Sequence, residues 1–255
     1  MLRTMSCVTL SAMVANASLA STPVQVEITG TVEFNQITVG ELEEVMDGAP
    51  VSLTFMVHAT SFVDSVNFPT RGYIIDANSF NLQIGGVSVG LQNPFPVGQS
   101  PLFVIRDNDP AVDGFYMSTD VDFPVGVPTD ETGLITQFMN NFSVTYLMDP
   151  LPSLDILDAL GTYDFTNISS FNWALDDGPF QAMFILFAQL EISLPPCIGD
   201  IDGCGVVNGF DLAALLSNWG PCVPGQPCLG DLNGDGVVDG ADLATLLANW
   251  GPCAI

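Results

Sequence analysis

The sequence predicts an all-β N-terminal domain, an antiparallel sandwich that we expect to be jelly-roll-like, followed by a small α-helical module. Three observations carry this prediction. Apolar and polar residues alternate over short runs between residues 22 and 194, which is typical of strands with one solvent-facing side. Pro195-Pro196 then ends the alternation. Beyond this boundary, a segment rich in Gly, Asp, Leu and Cys repeats itself after 31 residues.

Composition excludes several classes of function. The chain has 255 residues, of which 48% are hydrophobic, enough for the buried core of one or two domains. Three basic residues stand against 29 acidic ones, for a formal net charge of −26, which disfavours nucleic acid and anionic membranes as partners. With one histidine and no lysine, a three-histidine zinc site and a lysine Schiff base are excluded. Carboxylate chemistry remains, either calcium binding or acid and base catalysis.

The N-terminus matches a secretory signal peptide, which we place at residues 1–20. Arg3 precedes an apolar stretch from Met5 to Ala15, and the small-residue site Ser18-Leu19-Ala20 follows. A buried N-terminal helix is the alternative. The most apolar later stretch, Met183–Leu190, is too short to cross a bilayer. We therefore expect a secreted, extracellular or cell-surface protein, in which the five cysteines of the last sixty residues can form disulfides.

The β domain spans residues 22–194. Its clearest strand is the first, where the alternating apolar residues include Val24, Val26, Ile28, Val32 and Phe34. Short runs between Gly, Pro, Asn and Asp clusters predict further strands at Val51–His58, Ser79–Ile84, Val87–Leu91, Leu102–Arg106, Gly114–Ser118, Phe142–Met148 and Gln181–Leu194. Leu154–Leu160 is compatible with a short helix. Because strands and helices do not alternate regularly, the sequence favours an antiparallel sandwich over a parallel sheet.

Two internal repeats fill the C-terminal module, which we place at residues 197–255. Residues 197–222 and 228–253 match at a fixed offset of 31, and each runs from Cys-x-Gly-Asp to Trp-Gly-Pro-Cys. Similarity this close indicates a duplicated unit.

The second repeat contains a loop with the ligand spacing of an EF-hand. Oxygen-bearing side chains stand at loop positions 1, 3, 5, 9 and 12, and the glycine at position 6 permits the sharp turn. Position 12 is Asp, whereas the usual EF-hand has the longer Glu. An acidic turn that binds nothing is the alternative. The predicted calcium ligands are the side chains of Asp231, Asn233, Asp235, Asp239 and Asp242 and the carbonyl of Val237.

The first repeat carries the same loop with one unfavourable substitution. A soft thiol, Cys204, occupies position 5, and thiols are poor ligands for a hard cation. We therefore predict calcium binding at lower affinity, with water filling the missing position. The remaining predicted ligands are the side chains of Asp200, Asp202, Asn208 and Asp211 and the carbonyl of Val206.

Each loop runs into a predicted helix with one apolar side. Apolar residues fall at i, i+3, i+4 and i+7, and we expect the two stripes to bury against each other. The tryptophans are thereby predicted to be core residues with no ligand role. Gly220 and Gly251, each followed by proline, predict where the helices end. The stripes are Leu212, Leu215, Leu216 and Trp219 in the first repeat and Leu243, Leu246, Leu247 and Trp250 in the second.

Two tandem loop and helix units, with no helix before either loop, resemble a type I dockerin module. The shared pattern is Gly-Asp-x-(Asp/Asn)-Gly-x-Gly-Val-Val-x-Gly-x-Asp-Leu-Ala-x-Leu-Leu-x-Asn-Trp-Gly, and the match covers about the last sixty residues. The resemblance implies that calcium holds this EF-hand-like fold together. It also implies that the helices bind a cohesin-like protein domain at Gly209, Phe210, Gly240 and Ala241. Repeats ending in Trp-Gly-Pro-Cys are similar to variants in secreted proteins of planctomycetes.

Two bridges among five cysteines allow fifteen arrangements. Pairing within a repeat is disfavoured, because a helix of about eleven residues separates its ends by roughly 16 Å, while bridged Cα atoms lie within about 6.8 Å. The resemblance supplies an alternative, since dockerin repeats pack antiparallel. It implies the bridges Cys197–Cys253 and Cys222–Cys228, with Cys204 outside both.

Two hypotheses for the function remain. The first is a secreted non-catalytic protein, with a β-sandwich of structural or glycan-binding role and a module that docks onto a cohesin-like partner. The second is a small carbohydrate-active hydrolase acting on a polysaccharide, because dockerins often accompany such enzymes. A glycosidase needs two acids about 5 to 10 Å apart, and the sequence singles out no such pair. The acidic turn Arg106–Gly114 is compatible with another calcium site but favours a solvated hairpin turn.

Overall fold

A computed structural model describes residues 22–109, 112–178, 181–223 and 225–253. The chain divides into two compact units, which we call the β unit (Ser21–Leu194) and the loop–helix unit (Pro195–Ile255). The predicted signal peptide, residues 1–20, lies outside the described residues. In the part of the chain that is described, no helix is both long and apolar enough to span a membrane.

Antiparallel strands build the β unit, as predicted. Its described strands are β1 (Pro23–Asn35), β2 (Pro50–Asp64), β3 (Thr70–Ile75), β4 (Asn81–Ile84), β5 (Val87–Val89), β6 (Leu102–Arg106), β7 (Asp113–Ser118), β8 (Val127–Thr132), β9 (Gln137–Tyr146), β10 (Gly161–Asp164), β11 (Ile168–Asp176) and β12 (Ala182–Ser193). A 3-10 turn, Glu41–Glu44, follows β1. Hydrogen-bonded neighbours run in the order β1-β12-β11-β9-β7-β6-β3-β2-β4-β5, while β8 pairs with β9 and β10 with β12. Because β1 also pairs with β2, the sheet folds back on itself around a sandwich-like apolar core.

The alternation of the first strand predicts its buried side correctly. Val24, Val26, Ile28 and Val32 of β1 all point into the core. The neighbouring strand β12 alternates in the same way, and the register places Ile28 opposite Leu190. Aromatic rings occupy the space between the two sides of the sheet, including Phe103, Phe115, Phe142, Trp173 and Phe187.

Gly30 lies at a shift in the register between β1 and β12. A Cβ atom there would stand 2.3 Å from the carbonyl oxygen of Leu186 and 3.0 Å from the ring of Trp173. Because a backbone oxygen cannot rotate away, we expect Gly30→Ala to lower the free energy of unfolding by about 1–3 kcal/mol. Urea unfolding measures the change. Thr31→Ala, an exposed change in the same strand, should stay within about 0.5 kcal/mol; equal losses in the two variants would contradict the steric explanation.

Leu154–Leu160 forms turns rather than the short helix that the sequence allows. The hydroxyl of Tyr73 donates to the carbonyl of Leu154 at 2.8 Å and accepts from the N–H of Ile156 at 2.9 Å. These bonds hold the segment on the core, where Ile156 and Ala159 are buried. Tertiary contacts therefore override the local helical pattern.

Strands β3, β8, β10 and β11 lie in segments for which the sequence predicts no strand. In β3, β8 and β11 the buried residues do not alternate cleanly with exposed ones, and β10 has no buried residue. Strand β11, for example, buries Trp173, Ala174 and Leu175 in succession, and β3 buries the neighbours Gly72 and Tyr73. Strands covered on both sides lose the period-two signal on which the prediction depends.

The loop–helix unit contains two nine-residue helices, α1 (Gly209–Ser217) and α2 (Gly240–Ala248). Four two-residue strands join the repeats: β13 (Val206–Val207), β14 (Gly220–Pro221), β15 (Val237–Val238) and β16 (Gly251–Pro252). Strand β13 pairs antiparallel with β16, and β14 pairs antiparallel with β15. The loop of each repeat is therefore bonded to the tail of the other.

The prediction that the tryptophans of the two repeats are core residues is wrong. Trp219 and Trp250 are 50% and 49% exposed. The helices end at Ser217 and Ala248, so each tryptophan lies past its C-cap and no longer continues the helical stripe. Leu216 and Leu247 are exposed as well, because the shared core is small; its buried members are Val207, Leu215, Val238 and Leu246.

Candidate metal centre

All seven acidic residues of the loop–helix unit belong to the two predicted metal loops. They are Asp200, Asp202, Asp211, Asp231, Asp235, Asp239 and Asp242. The unit has no Lys, Arg or His, so none of its own side chains can neutralise this charge. Carboxylates gathered in two short loops repel one another unless a cation lies between them.

The second loop, Asp231–Asp242, curls around the carboxylate of its first residue. Oδ1 of Asp231 accepts hydrogen bonds from the N–H groups of Gly234 and Asp235 at 2.9 and 3.2 Å, and Oδ2 accepts from Gly236 at 3.0 Å. The side-chain oxygen of Asn233 accepts from the N–H of Asp235 at 2.9 Å. These bonds draw the backbone of loop positions 4 to 6 around the carboxylate of position 1.

The aspartate at position 12 closes each loop from the first turn of the following helix. Asp242 is fully buried; its Oδ1 accepts from Leu232 and Asn233, and its Oδ2 from Asp239. These backbone hydrogen bonds, with the one from Asp239 foremost, hold the pKa of Asp242 below its usual range. Asp211 repeats the arrangement in the first loop, accepting from the N–H groups of Ile201, Asp202 and Asn208.

Positions 7 and 9 stand where each loop meets its helix. Val206 and Val237 lie in β13 and β15, and the carbonyl of Val206 accepts from the Asn208 amide at 2.9 Å. Asn208 and Asp239 are the N-caps of α1 and α2, and each accepts a hydrogen bond from a backbone N–H two residues on, at 2.8 Å. The capping requirement of the helices therefore fixes the position-9 side chains.

The first loop, Asp200–Asp211, differs from the second at position 5. Asp200 accepts from the N–H groups of Cys204 and Gly205 at 3.0 and 2.8 Å, and Asp202 accepts from Cys204 at 3.1 Å. One carboxylate oxygen of each aspartate and the sulfur of Cys204 all lie within 4.8 Å of one another. The backbone follows the path of the second loop, with sulfur replacing an oxygen donor.

Two disulfides join the repeats: Cys197–Cys253 and Cys222–Cys228, with Cα separations of 5.4 and 5.5 Å. These are the pairs that the dockerin resemblance implies, and Cys204 lies outside both. The sulfurs of Cys253 and Cys222 each stand 3.6 Å from Oδ2 of the position-1 aspartate, Asp200 or Asp231. The bridges thus support the start of each loop, and they are consistent with an extracellular protein.

The four predicted partner-binding residues lie at the start of the helices. Gly209, Phe210, Gly240 and Ala241 are all exposed, and Phe210 offers an aromatic side chain that is 64% exposed. The loops hold these residues in position, because the N–H groups of Phe210 and Ala241 donate to the N-cap side chains.

A second cluster of carboxylates lies in the β unit, where one oxygen each of Asp107, Asp113 and Asp149 fall within 4.8 Å of one another. This spacing is shorter than the separation of about 5 to 10 Å that glycosidases use. Asp113 accepts from the N–H groups of Asn108 and Leu151 at 2.9 and 2.8 Å, and therefore ties two loops together. The acidic turn Arg106–Gly114 joins β6 to β7 as a hairpin. Asp149 follows β9, far along the chain, and no spacing in the sequence connects it to Asp113.

Burial raises the pKa of Asp113, and the nearby Asp149 and Asp107 add to the shift against the lowering effect of the two backbone N–H groups. Because the folded state then binds its proton more tightly than the unfolded state, this contribution to stability is lost as pH rises above about 4. We expect wild type to lose stability relative to Asp113→Asn between about pH 4 and pH 7. Urea unfolding at the two pH values measures this; parallel changes in the two proteins would contradict it.

No protein-family model, no curated protein and no solved structure matches this chain. The interpretation of the two loops therefore rests on their sequence pattern and on the contacts described above.

Proposed function

We propose that the protein is a secreted, non-catalytic protein whose loop–helix unit is a calcium-stabilised, dockerin-like docking module. The observation that carries this proposal is the placement of all seven acidic residues of the unit in two duplicated loops, with no basic residue to balance them. Calcium is the cation that suits such a site, because it takes six to eight oxygen ligands in a flexible geometry.

The second loop offers the more complete set of calcium ligands. Its oxygen donors are carboxylates, an amide and a backbone carbonyl, and backbone N–H groups hold the carboxylate of Asp231 in place. The same scheme of hydrogen bonds in both loops supports a pair of sites related by the duplication. On this basis the metal joins the loop to the first turn of each helix and orders the surface that the helices present.

A protein partner suits that surface. Phe210, Leu216, Trp219, Leu247 and Trp250 are all exposed on the loop–helix unit, and aromatic residues are enriched at the centres of protein interfaces. The resemblance to type I dockerins suggests a cohesin-like domain as that partner. The β unit would then carry the structural or glycan-binding role, with a polysaccharide as the candidate ligand.

The test uses the full chain immobilised on a sensor surface and a purified type I cohesin domain as the probe. We expect binding in calcium and loss of binding in EDTA. Phe210→Asp combined with Ala241→Asp should weaken binding by about tenfold or more, because both helix starts then carry a charge at the contact. Glu27→Gln, on the β unit, is the matched control and should leave binding unchanged. No binding in saturating calcium, or equal binding with and without calcium, would overturn the docking proposal.

The two position-1 aspartates should differ in importance. We expect Asp231→Ala to reduce calcium affinity more than Asp200→Ala, because the second loop has oxygen donors at every ligand position whereas the first has sulfur at position 5. Calorimetric titration of each full-length variant with calcium measures the difference. Equal losses would show that Cys204 does not weaken the first loop.

A further inference from the structure

We propose that the first loop is a mixed thiolate and carboxylate site for a thiophilic divalent cation such as Zn²⁺ or Cd²⁺, with Asp200, Asp202 and Cys204 as its ligands. The inference rests on the proposed function, because it takes both loops as metal loops, and it assigns a different metal to the first. The unit then holds two sites of distinct chemistry.

The three donor atoms lie close to the spacing that one small cation requires. All lie within 4.8 Å of one another. In a tetrahedral zinc site, with Zn–S about 2.3 Å and Zn–O about 2.0 Å, neighbouring donors stand about 3.5 Å apart. Small rotations of the partly exposed side chains of Asp202 and Cys204 close the remaining distance. A tetrahedral cation needs one further ligand, which water can supply.

The second loop serves as an internal comparison, because its position-5 N–H makes the same two contacts. The position-5 N–H donates to the position-1 carboxylate at 3.0 Å in the first loop and 3.2 Å in the second. It donates to the position-3 side chain at 3.1 and 2.9 Å. Because the position-5 backbone is held in the same way in both loops, the loops differ there in the donor atom. The first loop offers the sulfur of Cys204, and the second offers the carboxylate of Asp235. Sulfur favours zinc and cadmium, whereas calcium requires oxygen.

The first loop also offers a hard cation less negative charge than the second. At position 9 the first loop has Asn208, whose amide nitrogen stands 3.6 Å from the Cys204 sulfur and 2.9 Å from the carbonyl oxygen of Val206. The Cys204 thiol and the Asn208 amide both donate to the carbonyl oxygen of Val206, at 3.6 and 2.9 Å, so the position-7 carbonyl is already engaged. The second loop has the carboxylate of Asp239 at position 9.

Binding requires the thiolate form of Cys204. The cation replaces the thiol proton, so that one S–H bond breaks, one metal–sulfur bond forms and the proton passes to the buffer. No electron is transferred. The two disulfides remain closed throughout, and the site therefore needs no reductant.

The experiment titrates the mature chain, which begins at Ser21 and lacks Cys7, with CdCl₂ in excess calcium and without reductant, following the ultraviolet charge-transfer absorption of cadmium–sulfur bonds. We expect this absorption to saturate at one equivalent in wild type, to disappear in Cys204→Ser and to persist in Asp235→Asn. Cys204→Asp should remove the absorption and give the first loop calcium binding like that of the second. Asp235→Cys should add a second equivalent of cadmium absorption, which tests the shared geometry independently.

The outcomes separate this inference from the proposed function. If wild type shows no cadmium absorption, the inference is wrong, and calcium binding measured by calorimetry then leaves the calcium module standing. If the absorption persists in Cys204→Ser, another sulfur causes it and the inference is likewise wrong. If neither calcium nor cadmium binds, the proposed function fails together with the inference.

Discussion

Removing divalent cations with EDTA should unfold the loop–helix unit of the reduced protein and leave the β unit folded. Seven aspartates repel one another in the loops, and their unit contains no basic side chain. In such sites the free energy of metal binding becomes free energy of folding. At a cation concentration about a thousandfold above the dissociation constant, each site stabilises the folded state by about 4 kcal/mol. The buried apolar core of the unit contains few side chains, so this contribution decides whether the unit folds.

Amide hydrogen exchange measures this effect by segment. In EDTA and dithiothreitol, amide protection should be lost in α1 and α2, residues 209–217 and 240–248. Protection in β1 and β12 should not change, since their core is apolar and independent of the loops. Restoring calcium should restore protection of the helices. If α1 and α2 stay protected in excess chelator, the metal does not hold the unit together.

Breaking the Cys197–Cys253 bridge should cost the loop–helix unit about 4 kcal/mol, against about 2 kcal/mol for the Cys222–Cys228 bridge. The two bridges have similar Cα separations, 5.4 and 5.5 Å, but they span 56 and 6 residues. A bridge that closes a longer loop removes more conformational freedom from the unfolded chain. The two bridges therefore form a matched pair in which loop length is the main difference.

The double variants Cys197→Ala with Cys253→Ala and Cys222→Ala with Cys228→Ala provide the measurement. Chemical unfolding in calcium, monitored by hydrogen exchange in α1 and α2, gives the free energy of unfolding of each. Replacing both cysteines of a bridge avoids a new thiol beside the loops. Similar losses in the two double variants would show that strain or contacts with Asp200 and Asp231 outweigh the entropy of loop closure.

The sequence predicted the elements whose signal is local. Strand β1 alternates over its first residues because one side faces the core, and the position-12 aspartates stand where a helix must begin. Strands β3 and β11 escaped prediction because their burial depends on what covers both of their sides. The exposure of Trp219 was missed because the helical stripe continues in the sequence after α1 has ended. The cluster formed by Asp113 and Asp149 depends on tertiary structure alone.

Each repeat depends on strands of the other repeat, which bears on how a duplicated unit of this kind arises. Strand β13 of the first repeat pairs with β16 of the second, and β14 of the first pairs with β15 of the second. A single repeat would therefore lack the partner strand for its own loop. It could complete its hydrogen bonds only against a second copy, as a symmetric homodimer. Duplication within one chain makes that dimer permanent, after which each half can diverge without the other.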